Sequence, residues 1–135
     1  MSCLFNSIFE LLQEYLPKHT KNTHIRKIVC KYIKDNLYEE IADETIENWI
    51  KIVLDNEFNI SLKDIVNRYI EIIEKQDQWG GGPELSIISK CFNVIIKVRH
   101  ESNIIATFNC TENPSFILVL DWTGDHYEPY QKLVI

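Results

Sequence analysis

A thiol and an imidazole stand near opposite ends of this sequence. Cys3 lies in Ser2-Cys3-Leu4-Phe5-Asn6-Ser7-Ile8, just ahead of an apolar stretch with helical spacing. His126 lies in Gly124-Asp125-His126-Tyr127-Glu128, at the end of an apolar strand-like run. A cysteine hydrolase needs a thiolate, whereas a free cysteine with a pKa of about 8.5 is mostly thiol at neutral pH. A helix N-terminus corrects this, because its unpaired N–H groups and dipole favour negative charge. The same amides can hold the oxyanion of a tetrahedral intermediate. His126 would take the thiol proton and return it to the leaving amine. In a strand, residues i and i+2 share a face, so Glu128 is placed to orient the imidazole as a third member of a triad. Asp125 points to the opposite face if the segment is extended, which makes it the lesser candidate. Plainer readings stand beside these: a terminal cysteine without a role, and a His-Tyr pair that only packs on an edge strand.

Between the two lies Trp79-Gly80-Gly81-Gly82-Pro83-Glu84-Leu85, which contains the only run of three glycines. Such a run costs backbone entropy and supplies nothing to pack, so it belongs where a backbone turns tightly or another chain approaches closely. Trp79 beside it would form one wall of a narrow slot, or else anchor a flexible turn. The lysine and Ser/Thr of a phosphate loop are absent. Of the other cysteines, Cys30 falls on the apolar face of a helix and Cys91 closes a short one, so both read as core thiols. His19, His24 and His100 sit among polar or turn-forming residues and read as solvated.

The elements that must position these groups change type along the chain. Leu4, Ile8, Leu11, Leu12 and Tyr15 predict a first helix over 4–16, stopped by Pro17. Thr23 caps a second, about 24–36, with Ile25, Ile28, Val29, Tyr32 and Ile33 on its apolar stripe. Asp43 caps a third through Ile46, Trp49, Ile50 and Val53. Ser61 caps a fourth, with Leu62, Ile65, Val66, Tyr69, Ile72 and Ile73 inward. Pro83 suits the first turn of a short helix to about residue 91. Strand-like runs then follow at 93–99, 103–108 and 115–121, and a last short strand starts at His126. Helices first and strands after predict an α+β fold, with helices packed on a small sheet.

At 135 residues the chain is one domain's length and can bury a core without disulfide staples. A net charge of −6 makes phosphate-backbone binding a poor first reading, so no nucleic acid is expected. No apolar run reaches membrane-spanning length, so no membrane partner is expected either. The four cysteines contain no CxxC pair, which argues against a zinc site, and no metal or cofactor is expected. With no signal peptide ahead of Cys3, reduced thiols and a cytoplasmic setting are expected.

Together these residues resemble the ovarian-tumour (OTU) family of cysteine proteases. Members carry an Asp-Gly-x-Cys-Leu-Phe block, a helical middle, Trp-Gly-Gly-x-x-Glu-Leu, a hydrophobic strand and a terminal His-Tyr pair. Ser2-Cys3-Leu4-Phe5 matches the first block from its third position, Trp79 to Leu85 match the second, Asn93-Val94-Ile95-Ile96-Lys97-Val98 fits the strand, and His126-Tyr127 fits the end. His24-Ile25-Arg26-Lys27-Ile28-Val29 also resembles the family's helix after the nucleophile. The resemblance spans residues 1–135 as one catalytic domain and implies an OTU-like, papain-like fold with a twisted sheet between helices. It implies a deubiquitinase that cuts after the C-terminal Gly-Gly of ubiquitin, acting as a monomer on ubiquitin or polyubiquitin. By carry-over, Cys3 is the nucleophile, His126 the base and Glu128 the orienter. Trp79, Gly80 and Gly81 border the channel for the ubiquitin tail, and the backbone of Ser2 and Cys3 supplies oxyanion donors. The resemblance departs at the start: Met1 stands at the family's Gly position and the Asp position precedes the sequence. A fragment, an unusual start or a weakened enzyme would each account for that. The alternatives implied are an impaired module that binds ubiquitin without cutting it, and a protease that processes its own polyprotein. The Ile-, Lys- and Asn-rich composition suits a virus or an intracellular bacterium, in which case the host cytoplasm would be the site of action.

Overall fold

The structure is a computed structural model that describes residues 3–41, 44–53, 61–74 and 82–135; the side chains at positions 3, 22, 52, 53, 62, 72–74 and 82 lie outside the description. Helix α1 (Cys3–Leu12) runs on into a 3₁₀ turn (Gln13–Tyr15) before Pro17, as the apolar spacing predicts. Leu4, Phe5 and Ile8 are fully buried, and Leu12 nearly so. Helix α2 (Asn22–Asp35) starts earlier than expected, and Thr23 lies within its first turn rather than capping it. The backbone N–H of Lys21 donates instead to His24 Nδ1 at 2.7 Å, so an imidazole satisfies a donor at the helix entrance. On this helix Ile25, Val29 and Ile33 are core residues, but Ile28 is exposed.

A two-stranded ribbon, β1 (Glu40–Ile41) and β2 (Glu44–Thr45), leads into α3 (Ile46–Val53). Its expected cap, Asp43, lies outside the described residues. Thr45 Oγ1 accepts from the Asn48 N–H at 3.2 Å and fills that role. Helix α4 (Leu62–Glu74) is capped as expected, with Ser61 Oγ accepting from the Asp64 N–H at 3.2 Å. Helix α5 (Gly82–Phe92) carries Pro83 in its first turn. Glu39 accepts from both the Tyr32 hydroxyl and the Lys90 ammonium, tying α2 to α5.

Strands β3 (Val94–His100), β4 (Asn103–Phe108), β5 (Phe116–Trp122) and β6 (Tyr127–Val134) form one sheet in the order β4-β3-β5-β6. The β3–β5 pair is parallel and the other two are antiparallel. Val94, Ile96 and Val98 alternate onto one face with Leu118 and Leu120, each at most 4% exposed, and join the helices in a single core. Ile95, Lys97, Arg99, Ile117 and Asp121 are only half-buried on the other face. The expected α+β class, with helices packed on a small sheet, holds. The last strand is longer than expected and begins after His126, not at it.

Candidate active site

The turn between β5 and β6 creates the surroundings of His126. Trp122 ends one strand and Tyr127 opens the next, their rings tilted with centroids 4.8 Å apart. The Thr123 N–H donates to the His126 carbonyl at 2.9 Å and closes the turn. Gly124 sits at φ +108°, a conformation that residues with a Cβ rarely adopt. Because this segment bends, Asp125 does not point away from the imidazole as an extended chain would require. Asp125 Oδ1 lies 2.8 Å from His126 Nδ1, and Glu128 Oε1 lies 3.0 Å from Nε2. Thr123 Oγ1 completes the group, 3.0 Å from Nδ1 and 2.8 Å from Asp125 Oδ1.

The Glu128 carboxylate, and after it Asp125, raises the His126 pKa above its ordinary value. The Thr123 hydroxyl, and after it His126, holds the Asp125 carboxyl below the usual carboxylate range. A raised imidazole pKa means that the folded chain binds this proton more tightly than the unfolded chain. The resulting stabilisation is complete below the unfolded value of about 6.5 and is lost as pH rises through the folded value. An NMR titration of the His126 ring is expected to give a midpoint above about 6.5, moving down in Glu128→Gln. An unmoved midpoint in that variant would remove Glu128 as the orienter.

The nucleophile candidate enters from the other end of the chain. Cys3 opens α1, and its side chain lies outside the description. Positions 3 and 7 share a helix face. Ser7 is 2% exposed, and its hydroxyl donates to the Tyr127 carbonyl at 3.3 Å, the residue between His126 and Glu128. Beneath this junction the Tyr69 hydroxyl donates to Glu84, and both residues are buried. Burial, and then the Glu84 charge, raises the Tyr69 phenol well above its usual range and lifts Tyr127 in the same order of causes.

A cavity of about 310 Å³ opens between the β3–β4 and β5–β6 turns. Thr123 and Glu128 line it, together with His100 and the Arg99–Asp121 pair. That pair is a fork, with Arg99 Nε 2.6 Å from Oδ1 and its second nitrogen 3.0 Å from Oδ2 of Asp121. His100 is thus not the solvated residue expected: its Nδ1 lies 2.7 Å from the Trp122 carbonyl.

A family model described as "OTU-like cysteine protease" matches residues 2–127. The chain belongs to the OTU family. Among solved structures, an OTU domain in complex with ubiquitin is 24% identical at a TM-score of 0.67, and the alignment covers 97% of this chain but only 64% of that one. The viral OTU protease of Dera Ghazi Khan virus is 21% identical at a TM-score of 0.57, covering 98% of this chain and 74% of that one. A ubiquitin-bound Hazara virus OTU is 16% identical at 0.60, covering 98% and 76%. No curated protein matches the sequence significantly.

In this OTU chain the structure brings His126 and Glu128 together and adds Asp125 to them. Ser2, Trp79, Gly80 and Gly81 lie outside the described residues, as does the Cys3 side chain. Sequence reading passed over Thr123, although a Thr-Gly-Asp turn is the kind of place where a hydroxyl bonds its own neighbours. Ser7 and Tyr69 carry no sequence signal of a role, since each falls at an ordinary inward position of its helix. Among the described residues, no cluster of His, Cys, Asp and Glu is arranged to hold a metal ion, and no helix is long and apolar enough to cross a membrane.

Proposed function

We propose that this OTU domain is a thiol-dependent deubiquitinase that hydrolyses isopeptide bonds after the C-terminal Gly-Gly of ubiquitin. Cys3 attacks the scissile carbonyl, His126 takes the thiol proton and protonates the leaving amine, and water releases the acyl group from sulfur. Glu128 on Nε2 leaves Nδ1 as the ring nitrogen for the thiol, so Asp125 must yield its place there when the pair forms. The observation that carries this reading is the docking of α1 on the start of β6 through Ser7 and Tyr127, in a chain matched to OTU-like cysteine proteases over 2–127. It sets the helix headed by Cys3 against the strand entered by His126.

The test is a ubiquitin whose C-terminus ends in a vinyl electrophile. It is expected to add covalently to Cys3 in the native chain, as mapped by mass spectrometry, and to fail with His126→Ala. A chain that binds ubiquitin by titration yet neither takes the probe nor cleaves polyubiquitin is a binding module instead.

A further inference from the structure

Beyond the Cys-His-Glu group, we infer that Ser7 is a positioning residue that fixes the thiol-bearing helix against the imidazole-bearing strand. The inference rests on the proposed roles of Cys3 and His126. Helix α1 buries Leu4, Phe5 and Ile8 completely, and apolar contacts of that kind set depth more firmly than they set rotation or sliding along the axis. A directional contact is needed for the latter, and Ser7 supplies one. It is a buried hydroxyl on an otherwise apolar surface, and its oxygen meets the Tyr127 carbonyl at 3.3 Å. The distance is long for a hydroxyl–carbonyl bond, so its value lies in direction more than in strength.

The two ends of this contact are what give it meaning. On the helix, Ser7 is four positions from Cys3, so one turn of rigid backbone connects the hydroxyl to the sulfur-bearing residue. On the strand, Tyr127 is the link between His126 and Glu128, and its ring packs at a tilt against Trp122. Tyr127 is therefore braced from the sheet side, and the carbonyl that Ser7 finds is a fixed point. A shift of α1 by a fraction of an ångström would be felt at position 3 in full. Reacting groups misplaced by about 1 Å can lose about 10²-fold in rate, so a modest bond can carry a measurable share of turnover.

The experiment measures the rate of Cys3 alkylation by iodoacetamide against pH, read on the Cys3 peptide so that Cys30, Cys91 and Cys110 do not contribute. Steady-state cleavage of a ubiquitin substrate and the thermal midpoint are followed in parallel. In the native chain the Cys3 midpoint is expected below the free-thiol value of about 8.5. Ser7→Ala is expected to move that midpoint toward the free-thiol value and to lower kcat about three- to tenfold with KM unchanged. Ser7→Thr, which keeps the hydroxyl, should restore both. A Ser7→Ala chain with native titration and native kcat, or one that loses only thermal stability, overturns the positioning role while leaving the nucleophile assignment intact. A native Cys3 that alkylates as an ordinary thiol, indifferent to His126→Ala, overturns both.

Discussion

Cys3→Ala is expected to abolish cleavage of ubiquitin chains, lowering kcat by at least about 10⁴-fold, while circular dichroism and the thermal midpoint stay native. The size of the loss follows from what the proposed mechanism would lose: the sulfur that forms the acyl bond. The fold survives because α1 is held by Leu4, Phe5, Ile8 and Leu12, each at most 3% exposed. His126→Ala is expected to fall to a similar level, since a nucleophile and its base act as one unit and their losses do not add. The double variant should then be hardly worse than either single one. Cleavage of ubiquitin chains by Cys3→Ala at the native rate would falsify the thiol mechanism outright.

The largest effect on stability is expected at Phe5. Its ring is fully buried, and the Arg26 guanidinium, itself 1% exposed, lies 4.4 Å from the ring centroid. Phe5→Ala removes an aromatic side chain from a closed core, a change that costs about 3–5 kcal/mol. It also strips a π-face from a buried cation, and such contacts contribute up to about 2 kcal/mol where water is excluded. Arg26 retains its remaining interactions, so that second contribution is added only in part. For a chain of this length the cavity cost alone lowers the thermal midpoint by about 10–18 °C. Phe5→Leu, which keeps apolar volume and loses the ring face, should lie between native and Phe5→Ala. A calorimetric midpoint within about 3 °C of native for Phe5→Ala would show that α1 is not anchored there.

The secondary structure was legible wherever one periodicity ruled. The 3.6-residue spacing of Leu4, Ile8 and Leu12 and the alternation through Val94, Ile96 and Val98 each survived folding with little change of boundary. Entrances to helices were less legible, because side chains there choose among several partners. Thr23 has the right chemistry for a cap, yet His24 reaches back to Lys21 and the helix begins before it. Ile28 shows that an apolar residue near the stripe need not be inside, since its neighbours Ile25 and Val29 already fill the interface. At the site, the pairing of His126 with Glu128 follows from strand alternation. The approach of Asp125 does not, because it depends on a bend at Gly124 that alternation cannot express. Tyr69 and Glu84 meet across two helices, and nothing local to either segment foretells a contact between a phenol and a carboxylate 15 positions apart.

The bond between Ser7 and Tyr127 spans 120 positions. Contacts of that range are closed late, after the cost of joining a long intervening loop has been met. During synthesis α1 emerges before the strand it docks on, which is complete only once residues 127–134 have followed. The order of synthesis thus delays the docking of α1 until β6 is available to receive it.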